Sequence, residues 1–578
     1  MLGDTRNLLS YCPYPTPRPE QEEAISELET ILNDSSSFTL LYAPTGTGKS
    51  GIARTVTDYF ACKGYQSFIA TKTKELQTQY LEESRKYNQY GLHFEKIIGR
   101  GNFKCINLST NRLNVGCDNG LCVHIDYFKA LKKEDTKTLK LFKLNNGKGD
   151  YCFKHCEYRK AIQWFKACDV GFANYHILLF DGLYSHIYPK RHVLFCDEAH
   201  NLIDILRDFS KLTLNLKTIQ NKLSFKVDKK KYPFNIEEIA TDLKTPSDWM
   251  NFVDKLYNYF KKDYQDKIKK AFKDNVKKYS VVLNKINKYF DILYMKIRMI
   301  QKDTKNFIFE NGKDHCVFTP IKINKNITNL IFSRGDHVVL MSASFTNMKL
   351  YQRLLNIHNP HIIKINDNRP LKQNNPVYYH NVGHMNFKER KNTLPKLCEE
   401  IKSIMNRNKN NKGLIHVPDY KTGQYICDYF ENTKYAHRFL HHRNSDEKQD
   451  IIEIFKITSD PLILVSPTCY EGVDFPDDEC RFQILTCLPV PFFDNFMKEL
   501  SKQRPYEVRM MIATKILQML GRGYRSKEDY CENHLLDKRF TFCTYGNRLI
   551  RPEDFPEEIQ DCFKNRSIWN YYKRKRGR

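Results

Sequence analysis

The stretch "SFTLLYAPTGTGKSGIARTV" constrains this chain more than any other. It runs in the order apolar strand, Gly-rich turn, helix, and that order predicts an α/β fold with the turn at a strand-to-helix junction. Ala43, Pro44, Thr45, Gly46, Thr47, Gly48, Lys49 and Ser50 fit a phosphate-binding loop with Ala in place of the usual first Gly. The glycines let backbone N–H groups curl around phosphates, and the helix start adds the positive end of its dipole. In such a loop Lys49 reaches the β- and γ-phosphates and Ser50 holds Mg²⁺, so ATP is the expected ligand.

A second segment supplies what a phosphate loop alone lacks. In "RHVLFCDEAHN" a buried strand over Val193–Cys196 ends in Asp197 and Glu198. Asp197 suits Mg²⁺ coordination, and Glu198 suits activation of an attacking water in an in-line phosphoryl transfer. Alone, an acidic pair after a strand is more often a helix cap with first-turn charge. Paired with the Lys49 loop, it reads as catalytic.

"DEAH" after a phosphate loop resembles a superfamily 2 helicase, and further segments agree in the family's order. "PRPEQEEAI" places Gln21 where such proteins contact adenine, and "ATKTKELQTQY" is similar to their first strand-contacting motif. "VVLMSASF" offers Ser342, Ala343 and Ser344 as the segment linking hydrolysis to strand movement, with "SAS" for the commoner "SAT". "GLIHVPDY", "YEGVDFP" and "QMLGRGYR" resemble the three motifs of a second RecA-like domain. The resemblance adds His200 to the catalytic set and Asp474 to the nucleotide contacts. Gln518, Arg522 and Arg525 sit at i, i+4 and i+7, so a helical start would put them on one face, with the two guanidinium groups placed to meet the γ-phosphate as arginine fingers. "KEDYCEN" after Arg525 lacks the family's usual Asp-x-Gly, which leaves that loop's geometry open.

Five cysteines lie between the two halves of the nucleotide site: Cys105, Cys117, Cys122, Cys152 and Cys156. No secretory leader precedes them and no apolar run approaches the roughly 20 residues of a bilayer span. The expected setting is therefore intracellular, cytoplasmic or nuclear, where clustered thiols bind metal more often than they form bridges. By spacing alone zinc leads. The iron–sulfur branch of superfamily 2, the xeroderma pigmentosum group D and DinG helicases, carries cysteines at this place. "GRGNFKC", "CEYRKA" and "ANYHILL" resemble its flanking segments, and "EGVDFP" and "LDKRF" resemble its second half. That resemblance implies a [4Fe–4S] cluster on Cys105, Cys117, Cys122 and Cys156, with Cys152 as alternate ligand and zinc as the rival ion. It also implies DNA repair as a setting.

Between Ala199 and Ser342 lies a second excursion, read as largely helical. Residues 251–305 hold 15 Lys or Arg against 6 Asp or Glu, a balance that suits a phosphate backbone as a group, although any single lysine there is better read as solvated. Tyr279, Leu283, Ile286, Phe290, Leu293, Ile297 and Ile300 form one apolar seam at helical spacing, expected to be core. The formal charge of +26 points to a polyanionic partner, although an AT-rich genome, viral or phage origin included, also enriches lysine. The tail "KRKRGR", Lys573 to Arg578, reads as a solvated end, with nucleic-acid contact and a nuclear address as the open alternatives.

The resulting expectation has a first RecA-like domain over 1–200 that resumes at 331–345. It places a cluster insertion at 99–160, a helical arch at 201–330 and a second RecA-like domain at 346–578. The implied activity is an ATP-dependent DNA helicase moving 5′→3′ on single-stranded and forked DNA, a monomeric motor alone or within a larger complex, with no membrane partner. A fused nuclease is not expected ahead of Gln21. Two rival readings stay open: the same engine on RNA or on a transcription complex, and a scaffold with a vestigial nucleotide site.

Overall fold

A computed structural model describes residues 7–33, 36–104, 155–227, 230–272, 276–366, 369–541 and 549–562. Two parallel sheets organise them. The first has seven strands, from edge to edge His361–Lys364, Phe38–Tyr42, Gly335–Ser342, Arg191–Asp197, Ser67–Thr71, Val170–Asn174 and Phe94–Lys96. Its central strands read "FTLLY", "HVVLMS" and "HVLFCD" because both faces are covered, and a strand buried on both faces has no polar side to alternate with. The second has six: Val377–Gly383, Glu532–Asp537, Phe482–Leu485, Gly413–His416, Ile463–Ser466 and Phe439–His441. Every pairing in both sheets is parallel, so the fold is α/β with two RecA-like lobes.

Register sets the site. Tyr42 lies opposite Ser342, and Met341 opposite Asp197, so three neighbouring strands end level at one carboxyl edge. Ligands of open α/β sheets collect along that edge. The chain has placed there the phosphate loop, the serines of "SAS" and the acidic pair.

Three boundaries differ from the sequence expectation. Strand His361–Lys364 joins the first sheet beside Phe38–Tyr42, although it follows residue 346, because Ile363 and Ile365 pack with Leu41 and Ile69. Helices Leu202–Ser210 and Lys325–Phe332 bury Leu202, Leu206, Ile327 and Ile331 in the first lobe's core, so the excursion proper lies between them. That excursion is not helix alone: Leu212–Asn215, His315–Pro320 and Phe307–Asn311 form an antiparallel sheet. The seam on helix Val276–Lys302 is core as expected for Ile286, Phe290, Leu293, Ile297 and Ile300, while the side chain of Tyr279 lies outside the described set. Among the described residues no helix is long and apolar enough to cross a membrane.

Candidate functional site: a cleft between two lobes

The phosphate loop begins where strand Phe38–Tyr42 ends. Gly46 (φ +84°) and Gly48 (φ +79°) take left-handed backbone conformations that side chains disfavour, and Gly48 caps helix Lys49–Cys62. A Cβ on Gly46 would lie 2.3 Å from the backbone oxygen of Arg525, so the loop touches the opposite lobe there without room for a methyl group. Gln21 Nε2 donates to the Gly48 oxygen at 3.1 Å, and Gln21 Oε1 accepts from Arg18 N at 3.0 Å. Arg18 also donates to the Gly46 oxygen. Gln21, expected beside adenine, is thus a buried brace of the phosphate loop.

Strand Arg191–Asp197 delivers the acidic pair. Asp197 Oδ2 accepts from Tyr80 OH at 3.0 Å, and Oδ1 accepts from Glu198 N at 2.9 Å. Tyr175 OH donates to the Asp197 carbonyl at 2.6 Å. Glu198 itself sits at φ +50°, a left-handed position for a residue with a side chain, of the kind that clusters at functional sites. Burial, with Glu198 adding, pushes the Asp197 carboxyl up to about 6, while Lys49 and Tyr80 oppose the rise. Burial would raise Glu198 too, but Lys49, His200 and Arg522 together hold it below the usual carboxylate range. Lys49 and Arg522 belong to different lobes, and both act on the same carboxylate.

His200 joins the halves. Its Nε2 accepts from Gln518 Nε2 at 2.7 Å and Asn201 Nδ2 at 2.9 Å. Its Nδ1 lies 2.8 Å from Ser342 Oγ and 3.2 Å from Glu198 Oε2, a pattern that places the proton on Nδ1. Ser342 Oγ in turn accepts from Ser344 N at 2.9 Å. Gln518 also donates to Glu471 Oε1 at 3.2 Å, and Lys72 of the first lobe reaches Glu471 Oε2 at 2.5 Å. One hydrogen-bonded chain therefore runs from "TKT" through "YEGVDF" and "QMLG" to "DEAH" and "SAS".

Gln518, Arg522 and Arg525 do not begin a helix. Gln518 lies in the last turn of Pro505–Leu520, Gly521 follows as the cap, and both arginines stand on the loop beyond. Asp474 gathers them: Arg522 Nη1 donates to its Oδ1 at 2.9 Å, and Arg525 Nη2 bonds the same oxygen. Asp474, expected at the nucleotide, is here the carboxylate that aligns the two guanidiniums. Buried Asp529 takes over where Asp-x-Gly is missing, accepting from Arg525 N at 2.9 Å while Arg481 Nη1 holds its other oxygen at 2.8 Å. Burial lowers both arginines, Arg525 to about 10, and Arg525 Nε is buried without a hydrogen-bond partner. A donor left over at a lobe junction beside the phosphate loop fits an incoming phosphate oxygen.

Beside the loop, a cavity of about 40 Å³ is walled by Pro44, Thr45 and Ala343 of one lobe and by Leu517, Gly521 and Tyr524 of the other. Arg369 from the lobe junction covers the Tyr524 ring, its guanidinium 4.8 Å from the centroid. Sequence reasoning missed Arg369, Lys72, Glu471, Tyr80, Tyr175 and Asp529. Lys72, Tyr80, Tyr175, Glu471 and Asp529 lie inside segments quoted above, so those segments were the available signal, whereas Arg369 had none.

Cys105, Cys117, Cys122 and Cys152 lie outside the described residues. Cys156 is described and stands directly before helix Glu157–Ala167. Among the described residues no group of three His, Cys, Asp or Glu could hold a metal. The flanks of 105–154 do meet: the Phe103 and Tyr158 rings are 5.3 Å apart, and Arg100 lies 5.0 Å over Tyr158.

Residues 401–552 match the family model for the helicase C-terminal domain, and residues 14–228 match that for the type III restriction enzyme res subunit. A probable ATP-dependent helicase of Methanocaldococcus jannaschii is 20% identical over 94% of both chains. Among solved structures, an XPD helicase superposes with TM-score 0.56 at 15% identity over 91% of this chain and 97% of its own. S. tokodaii Xpd4 gives TM-score 0.53 at 16% identity over 90% and 96%. The fold is thus the one seen in XPD helicases, and the chain's class of enzyme is ATP-dependent helicase.

Proposed function

We propose that the chain hydrolyses ATP between its two lobes and uses the cycle to move 5′→3′ along single-stranded DNA, opening forked duplexes. The observation that carries this reading is the Gly46–Arg525 contact, which sets the phosphate loop of one lobe against the arginine loop of the other. In this reading Lys49 and the loop N–H groups hold the phosphates. Glu198, ionised beside Lys49, takes the proton of the attacking water. Arg522 and Arg525 meet the charge that develops on the transferred phosphoryl, a contribution of about 10³–10⁵ in rate where such fingers have been removed. Ser50 and Asp197 offer hard oxygen donors and would hold Mg²⁺, which neutralises phosphate charge when bound. Gln518 and His200 would report loss of the γ-phosphate to the second lobe, since their bond crosses from one lobe to the other.

For the insertion we propose a [4Fe–4S] cluster on Cys105, Cys117, Cys122 and Cys156, with Cys152 as alternate ligand and zinc as the competing ion. The meeting of Phe103 with Tyr158 supports it, because a segment whose ends touch can bring its first and last cysteines to one ion. Bound, such a cluster staples a stretch too poor in apolar residues to pack by itself. We propose that the second lobe starts after Ile365, a limit supported by the pairing of strand His361–Lys364 within the first sheet.

The test is phosphate release with and without single-stranded DNA or RNA, followed by unwinding of duplexes with a 5′ or a 3′ tail. Stimulation by DNA and unwinding of the 5′-tailed fork are expected. Stimulation by RNA alone would move the assignment to an RNA translocase, and no hydrolysis at all would leave a scaffold. Protein purified without oxygen should be brown and contain iron; colourless protein with zinc would overturn the cluster.

A further inference from the structure

Asp537 closes the middle one of three strands at the carboxyl edge of the second sheet, and its side chain is fully buried. Oδ1 accepts from Met385 N at 3.4 Å, and Oδ2 accepts from Leu488 N at 2.9 Å. Arg539 neutralises it through Nε and Nη2, the latter at 2.6 Å, and also reaches Cys487 Sγ at 3.0 Å. One carboxylate thus pins the loops that follow strands Val377–Gly383 and Phe482–Leu485 side by side. Cys487 Sγ donates to the Met385 oxygen at 3.6 Å, a second tie between the same loops.

Each pinned loop lifts a phenyl ring into water. Phe387 is 93% exposed and Phe492 is 87% exposed, the two highest values for large apolar side chains among the described residues. Neither loop is slack. Asn386 Oδ1 accepts from Lys388 N at 3.0 Å and Glu389 N at 2.9 Å, an Asx turn with Phe387 inside it. Val490 N donates to the Leu488 oxygen at 2.7 Å, and Asp494 N to the Phe492 oxygen at 3.0 Å, immediately before Asp494 caps helix Asn495–Gln503. Phe496 N of that helix donates to Glu310 Oε1 at 3.0 Å, so the Phe492 loop also adjoins the root of the inserted excursion.

Two rings held out by locked turns, without polar tips, have no role in the fold of their own lobe. We infer that Phe387 and Phe492 form a stacking platform for the bases of a single-stranded polynucleotide crossing the second lobe. This deepens the reading of the chain as a motor on nucleic acid and rests on it. The carboxyl edge is the ligand side of a parallel sheet, and the chain's charge of +26 favours a polyanion over an apolar partner. Stacking on a phenyl ring accepts any base, as a motor indifferent to sequence requires.

The experiment measures binding of labelled oligo(dT) and oligo(U) by fluorescence anisotropy for the full chain and for Phe387→Ala, Phe492→Ala, the double variant and Phe387→Trp. The same strands are also used with abasic sites in place of bases. Each alanine should weaken binding about 5- to 100-fold, and tryptophan should retain it. The abasic strand should bind wild type more weakly yet bind the double variant no more weakly than the intact strand does. Alanine variants within twofold of a wild type that binds would overturn the platform and leave the motor standing. A wild type that binds neither strand would overturn the motor reading itself.

Discussion

Glu507→Leu should loosen the cleft from a distance. Glu507 lies on helix Pro505–Leu520, which also carries Gln518, is fully buried, and bonds Arg207, which lies on the first-lobe helix after "DEAH". Arg504 lies 3.3 Å from the other oxygen of Glu507. Arg207 Nε and Nη2 also donate at 3.3 Å to the Pro320 and Ile321 oxygens, where the excursion rejoins the first lobe. The pair therefore clamps both lobes and the excursion at one point. Removing one member of a buried pair costs about 3–5 kcal/mol, because the survivor stays desolvated without its counter-charge. Arg207 keeps two carbonyl acceptors, and Arg504 is partly exposed, so the low end applies: about 3 kcal/mol, or about two orders of magnitude in the closed-to-open ratio. The assay is ATP binding by the single variant, by Arg207→Leu and by the Arg207→Leu/Glu507→Leu double variant, with circular dichroism confirming folded lobes. Both singles should lose affinity, and the double should regain at least half of the loss, since an apolar pair leaves no charge unmatched. Additive losses in the double variant, or singles within threefold of wild type, would refute the clamp.

Three further outcomes follow from the same geometry. Gln518→Leu removes the donor to His200 Nε2 while Asn201 keeps that nitrogen paired, so strand-stimulated turnover should fall about five- to tenfold with ATP affinity changed far less. Asp529→Ala leaves Arg481 with Asp478 and the Tyr530 carbonyl and frees the Arg525 backbone, and should cost about 2–3 kcal/mol in a denaturant titration. Burial, only partly offset by the bond to Gln483, lowers His416 to about 4, so below pH 6.5 the unfolded chain takes a proton that the folded chain refuses. Stability should thus fall by about 1.4 kcal/mol per pH unit from 6.5 toward 4, and His416→Gln should flatten that slope in melts at pH 7.5 and 5.5.

Much of this was legible in the chain, for a physical reason. The phosphate loop, the strand before "DEAH" and the seam on Val276–Lys302 are local patterns, each fixed by residues within a few turns of one another. What escaped depends on how distant pieces close. Lys72 meets Glu471 across 399 positions and Arg207 meets Glu507 across 300, and no local rule pairs them. The arginine loop was misread as a helix start because i, i+4, i+7 spacing also arises where a helix ends at a glycine cap. Strand His361–Lys364 is a four-residue edge that carries too little pattern to claim its sheet. The motif gives Gln21 an adenine and says nothing of the bond its amide makes to Gly48, 27 positions away.

The most direct test of a nucleotide site shared by two lobes is single-turnover ATP hydrolysis by Arg525→Ala in the presence of single-stranded DNA. Arg525 belongs to the lobe opposite Lys49, and its backbone touches Gly46. A fall of about 10³-fold or more, with ATP still bound, is the predicted result. A rate within tenfold of wild type would mean that the second lobe takes no part in the chemistry, and the account would fail.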